Sequence, residues 1–156
     1  MSKSLRRVEA ALHEAGLSVQ IRETDDSART AEGAAAAVGC EVDQIAKSII
    51  FRGEESGHVV LFLTAGGNRV DPARATEIAG QPLGKADADL IRAETGFAIG
   101  GVAPVGHLRR IQAFVDPRLL EFDLVWAAAG TPRHVFAIAP ADLIGVTGAE
   151  KAAFTA

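Results

Sequence analysis

Leu5, Val8 and Leu12 recur at helical spacing with Arg6, Arg7, Glu9, His13 and Glu14 on the other side. Residues three and four apart share one helix face, so this predicts an amphipathic first helix, with Ser4 as its cap and Gly16 as its stop. Val19-Gln20-Ile21-Arg22 alternates apolar and polar residues like a half-buried strand, and residues 23–29 read as a polar loop. Thr30 caps an alanine-rich helix over Ala31–Val38 that stops at Gly39, and so many small side chains imply close packing against a flat surface. A short turn then runs into a strand carrying Ser48, Ile49, Ile50 and Phe51, with Lys47 where it begins. Residues 53–57 make a polar turn, and the nearly unbroken apolar run at 58–64 predicts a strand covered on both faces that pairs with its predecessor as a hairpin.

Asp71 and Pro72 supply the cap and first-position proline of a helix that ends at Gly80, and Asp87 opens another that ends at Gly96. Phe97-Ala98-Ile99 is expected to be a short strand running into Gly100-Gly101-Val102-Ala103-Pro104-Val105-Gly106-His107, a loop of unusual glycine density. A strand at 111–115, a short helix from Pro117, a strand at 124–128, a turn at Gly130-Thr131-Pro132, a strand over His134–Ile138 and a helix from Pro140 with Asp142 in its first turn complete the pattern. Strands occurring singly and in hairpins, with helices placed irregularly between them, point to an α+β or mixed-sheet fold and away from regular βαβ winding.

The chain has 156 residues, 48% hydrophobic and 23% charged, which fits one globular domain spanning 1–156. A formal net charge of −4 provides no general basic field, so DNA binding is not expected and any nucleic-acid contact must be local. Cys40 is alone, so it can form no internal disulfide and fits a reducing compartment; it reads as a small buried hydrophobe at a loop. No run approaches a membrane span and the first residues lack the apolar core of a signal peptide, so the expectation is a cytoplasmic protein with no membrane partner.

Three features could carry chemistry. Lys47 is wedged among Ile45, Ala46, Ile49 and Ile50, so its ammonium emerges beside buried apolar surface, as a ligand-binding group or as a stem packed on the core with its head in water. The glycines at 100, 101 and 106 allow a ligand to approach the backbone and can present N–H groups to an anion or oxyanion; the competing reading is a tight connection between strands. His134 enters a strand straight after a turn, where it can move a proton, bind a substrate, or simply be a partly buried polar residue. No serine sits in a nucleophile elbow, and no metal-ligand spacing or cofactor motif occurs, so neither a metal nor a cofactor is expected.

The combination of Ile45-Ala46-Lys47-Ser48-Ile49-Ile50-Phe51, the glycine-rich loop at 100–106, and Gly130-Thr131-Pro132-Arg133-His134 followed by Pro140-Ala141-Asp142-Leu143 resembles the YbaK/prolyl-tRNA synthetase-associated editing domains in order and spacing. The resemblance implies a compact, mostly antiparallel, barrel-like mixed sheet with flanking helices. It implies a trans-acting deacylase that hydrolyses the ester of a mischarged tRNA, commonly tRNA(Pro) bearing a small residue such as alanine, serine, cysteine or threonine. A prolyl-tRNA synthetase is the second candidate partner. The resemblance places Lys47 against the acyl-adenosine end, gives Gly100 and Gly101 backbone roles, and makes His134 a substrate-handling group. Thr30, Ser48, Val102, Pro104, Gly106 and Gly130 then belong to the substrate-binding surface.

An aminoacyl ester is already activated, so positioning water or a ribose hydroxyl and stabilising an oxyanion suffices without a protein nucleophile. Two departures from the family pattern stand out. Ile21-Arg22-Glu23-Thr24 replaces an aromatic or histidine found in some relatives. His134-Val135-Phe136 stands where the subgroup acting on Cys-tRNA(Pro) has an aspartate, which argues against cysteine. The alternative reading is a non-catalytic module that binds a tRNA acceptor end or regulates a synthetase.

Overall fold

The computed structural model describes residues 2–156, with Asp26 and Ser27 described in their backbone alone. Its centre is the predicted hairpin of β2 (Ile45–Gly53) and β3 (Val59–Ala65), antiparallel from Ala46 opposite Ala65 to Arg52 opposite Val59. Every residue of β3 is buried, which explains its unbroken apolar run. Val59, Leu61, Leu63 and Ala65 face the main core, which includes Leu5, Val8, Leu12, Phe97, Val115 and Phe136. Val60 and Phe62 face a smaller one, where the Phe62 ring lies 4.9 Å from Phe154, 5.4 Å from Phe114 and 5.8 Å from Phe51 between centroids.

The mixed α+β sheet continues to both sides. The shorter strands are β1 (Ile21–Glu23), β4 (Leu83–Lys85), β5 (Gln112–Val115), β6 (Val125–Ala128), β7 (His134–Ile138) and β8 (Glu150–Lys151), and the order is β1-β7-β6-β2-β3-β5-β8. β2 pairs with β6 in parallel over Ile45 and Ala46, and with β4 antiparallel over residues 51–53. Between those two contacts neither strand covers β2, so the sheet is split along residues 47–50.

The helices are α1 (Lys3–Glu14), α2 (Ala31–Val38), α3 (Pro72–Ala79), α4 (Ala88–Thr95) and α5 (Pro140–Thr147). Thr30, Asp71 and Asp87 cap theirs as expected, and α2, α3 and α4 stop at Gly39, Gly80 and Gly96. The cap of α1 is Ser2 instead of Ser4: its hydroxyl accepts from the Leu5 N–H at 3.0 Å, and Ser4 lies inside the first turn. The expected strand at 97–99 is a turn, because Phe97 is drawn wholly into the core and its N–H is taken by the Thr95 hydroxyl. Two strands went unread, β4 and β8; three and two residues long, they are too short to display an alternation and are specified by their pairing partners. Residues 26–29 form a 3₁₀ turn inside the expected loop.

Glu94, 8% exposed on α4, joins that helix to the start of β3 by accepting from the Val59 N–H at 2.9 Å, with His58 at 2.7 Å and Arg109 at 3.3 Å. Burial raises its pKa, but the His58 bond, the Val59 N–H and the charges of His58 and Arg109 outweigh it, leaving the carboxyl below its ordinary value. Stability from a depressed carboxyl is present above the unfolded pKa and lost as pH falls through the folded one. Glu94→Gln is therefore expected to cost about 1–2 kcal/mol at pH 7. In urea titrations the gap to wild type should close once the pH drops below the free glutamate range.

Candidate functional site

The split in the sheet opens into a cavity of about 520 Å³. Its floor is β2. Gly53 donates its N–H to His58, which fixes the alternation of the hairpin: Lys47, Ile49 and Phe51 exchange backbone bonds with β3, so Ser48 and Ile50 turn their N–H and C=O toward the split. One wall is α2 with the residues before it, presenting Ala28, Arg29, Thr30, Ala31, Ala34 and Val38; here the alanine-rich face leaves room where larger side chains would close it. Trp126 and Val135, from β6 and β7, form the end wall with Ile45. The Arg22 guanidinium backs the indole at 5.2 Å. Lys85, Ala86 and Ile91 stand opposite, and Ile99, Gly100 and Val102 overhang from the glycine-rich loop.

Lys47 is half-buried, and its ammonium donates to the Asn68 carbonyl at 2.7 Å. That carbonyl belongs to the turn after β3, which is held from two directions. The Gly67 N–H donates to Asp43 Oδ1 at 2.9 Å, and the Asn68 amide donates to Asp116 Oδ2 at 2.9 Å. Burial pushes the Lys47 pKa down, as does Arg69, while Glu32, Asp116 and Asp43 pull it back up; the result lies below that of a free lysine. The buried Ser48 hydroxyl has no hydrogen-bond partner. Such a hydroxyl costs free energy until something bonds it.

The cavity therefore brings together Lys47, Ser48, Thr30, Gly100 and Val102 of the sequence-predicted site. The remaining five lie elsewhere. Gly101 packs so closely on the Thr131 backbone that a Cβ would stand 2.8 Å from it, and a Cβ on Gly130 would stand 2.9 Å from the Ser4 carbonyl oxygen. These two glycines let the loop, the 130–132 turn and the start of α1 press together behind the cavity. Pro104 and Gly106 line a separate polar recess with Arg109 and Arg110. His134 points to the opposite face of β7 from Val135, with Nδ1 2.7 Å from the Thr131 hydroxyl and Nε2 3.6 Å from Glu23.

The overhanging loop is clamped by α1. Arg7 donates Nε to the Gly106 carbonyl at 2.8 Å and Nη2 to Thr95 at 3.2 Å, and its guanidinium carbon sits 4.4 Å from the Phe97 ring centroid. His107 closes the far side by donating Nε2–H to Ala103 at 2.7 Å. Arg7→Met is expected to cost about 2 kcal/mol and to speed amide exchange across residues 97–106 specifically. Hydrogen-exchange mass spectrometry would check this, and uniform acceleration over the whole chain would refute a local role.

Sequence reasoning passed over Arg29, Lys85, Trp126, Asn68 and Asp116. Lys85 was hidden with β4, and Trp126 read only as a strand residue. Asn68 in Gly66-Gly67-Asn68 and Asp116 before Pro117 carry turn and cap signals that mask their shared task. Among the described residues no cluster of three His, Cys, Asp or Glu could hold a metal ion. No described helix is long and apolar enough to cross a membrane. Cys40 is half-buried beside the Trp126 cluster, and burial pushes its thiol pKa up.

Among the described residues, Arg29, Lys47 and Lys85 are the charged ones lining the cavity and no carboxylate joins them, in a chain with four more acidic than basic residues. A largely apolar hollow whose described charged residues are all cations suits an anionic ligand with an apolar or aromatic end. The chain belongs to the family of aminoacyl-tRNA editing domains, whose model matches residues 25–146. It is 46% identical to a proposed trans-editing enzyme for prolyl-tRNA synthetase, with a TM-score of 0.93 over 100% of this chain and 99% of that one. The structure of protein APE2540 is 29% identical, with a TM-score of 0.86 over 96% of this chain and 99% of that one. The uncharacterized protein YwhH of Bacillus subtilis (strain 168) is 30% identical over 123 residues, 79% of this chain and 78% of the relative.

Proposed function

We propose that this chain is a trans-acting deacylase that hydrolyses the ester of a mischarged tRNA, with tRNA(Pro) bearing a small amino acid as its substrate. The observation that carries this reading is the lining of the split: three cations and a small apolar end wall around one hollow. The acyl group lies toward Ala34, Val38, Trp126 and Val135, where added side-chain bulk is rejected by contact. Lys47 holds the acylated ribose, and the outward N–H groups of β2 with Gly100 face the carbonyl oxygen.

Attack by water, positioned by the neighbouring ribose hydroxyl, forms the new C–O bond and places charge on the carbonyl oxygen. Collapse then breaks the ester C–O bond, the ribose oxygen leaves and takes up the proton lost by the water, and free amino acid results. Among the described residues no histidine or carboxylate lines the cavity, so in this reading the activation comes from the substrate and from positioning. His134, Gly101, Pro104, Gly106 and Gly130 shape the loop and turn behind it in this reading. A prolyl-tRNA synthetase is the natural partner, supported by the likeness to the proposed trans-editing enzyme.

The test is release of labelled amino acid from a panel of mischarged tRNAs. Release from Ala-, Ser- or Thr-tRNA(Pro), with Pro-tRNA(Pro) spared, is expected. No release from any member would end the proposal. The same absence of an acid or base in the lining favours a second reading, a binder of the acceptor end without turnover, which the Lys47 variant discussed below separates.

A further inference from the structure

We infer that Arg29 and Lys85 form a two-sided clamp at the mouth of the cavity for the phosphodiester groups of a single-stranded acceptor end. This rests on the reading of the cavity as an acceptor-end site. Arg29 closes the 3₁₀ turn immediately before the Thr30 cap, and Lys85 ends β4 opposite Phe51. They therefore rise from different walls of one hollow, and both are exposed while Lys47 is half-buried.

Arg52, Arg74, Arg109 and Arg118 are each paired with a carboxylate, namely Glu54, Asp71, Glu94 and Asp43. Among the described residues neither Arg29 nor Lys85 has such a partner. Exposed cations without a carboxylate partner there also include Arg92 and Lys151, and what sets Arg29 and Lys85 apart from these is their place in the lining of the hollow. An exposed cation at the rim of a hollow whose described lining holds no carboxylate attracts anions. A strand whose terminal nucleoside occupies the apolar interior must leave past this rim, and the groups it carries there are phosphates. Free phosphate alone would leave the apolar walls uncovered, which is why the chemistry favours a strand.

Each cation that neutralises a phosphate on a single strand contributes about 0.7 to the slope of log binding constant against log salt. The experiment uses the full chain and a fluorescent, uncharged acceptor-stem microhelix, with and without its single-stranded 3′ tail, titrated between about 50 and 200 mM salt. Arg29→Ala and Lys85→Ala should each flatten the slope on the tailed helix by about 0.7, the double variant by about 1.4, and Arg29→Lys should restore it. On the tail-less helix the variants should match wild type. An unchanged slope on the tailed helix, or an equal fall on both helices, would overturn the clamp. Thermal melts confirm that these surface variants are folded. The outcome is independent of the mischarged-tRNA panel: slopes that fall without amino-acid release keep the clamp and reject the deacylase, and release with unmoved slopes does the reverse.

Discussion

Lys47→Ala is expected to lower kcat/KM for release of amino acid from mischarged tRNA by about 100-fold, the size of effect seen when one preorganised donor to a developing charge is removed. The Lys47 ammonium is fixed by the Asn68 carbonyl and half-buried against apolar neighbours, so it loses little freedom when substrate arrives. Lys47→Arg should recover only a small part, since a planar guanidinium needs more room and different directions. Because its pKa lies below that of a free lysine, wild-type turnover should decline on the alkaline side before a free lysine would lose its proton. A pure binder would show weaker association with the alanine variant and no turnover in either protein. Unchanged kcat/KM would remove Lys47 from the site.

Asp116→Ala is the largest expected effect on stability, about 3 kcal/mol or roughly 10 °C in Tm for a chain of this size. The carboxylate is 2% exposed and accepts from the Ala65 N–H at 3.1 Å, the Asn68 amide at 2.9 Å and the Arg118 N–H at 3.0 Å, while its own N–H donates to Leu63. Removing it strands several donors at the end of β3, and a buried donor without a partner costs far more than an average hydrogen bond contributes. It also frees the turn that delivers the Asn68 carbonyl to Lys47, so kcat should fall in the residual folded protein. Asp116→Asn keeps one acceptor and should recover about half the lost stability. Differential scanning calorimetry reads this directly, and a Tm within 2 °C of wild type would refute the account.

The parts of this fold that were legible in the sequence are those written in local chemistry. Thr30, Asp71 and Asp87 cap their helices because a short side chain must satisfy the first free N–H groups, and the hairpin follows from two apolar runs around a polar turn. Ser4 was the wrong cap for α1: the helix starts at Lys3, earlier than its apolar pattern suggests, and the Ser2 hydroxyl takes the Leu5 N–H. Lys47, Ser48, Thr30, Gly100 and Val102 were readable as one surface because the family resemblance ties them together. Arg29 and Lys85 were not, since nothing local distinguishes a cation at a cavity mouth from one in open water. Phe97-Ala98-Ile99 misled because three apolar residues fit a strand as well as a turn that buries Phe97 and leaves Ala98 and Ile99 exposed.

The parting of β4 and β6 along β2 has a consequence for how this protein can change. The groups that residues 48 and 50 offer there belong to the main chain, so exchanging the Ile50 side chain leaves them in place, while deleting one residue from β2 would swap which amides look inward. The shape of the cavity can thus drift through the walls, by way of Ala34, Val38 or Trp126, with the floor left untouched. Evolution has a dial in the walls and a fixed seat in the floor.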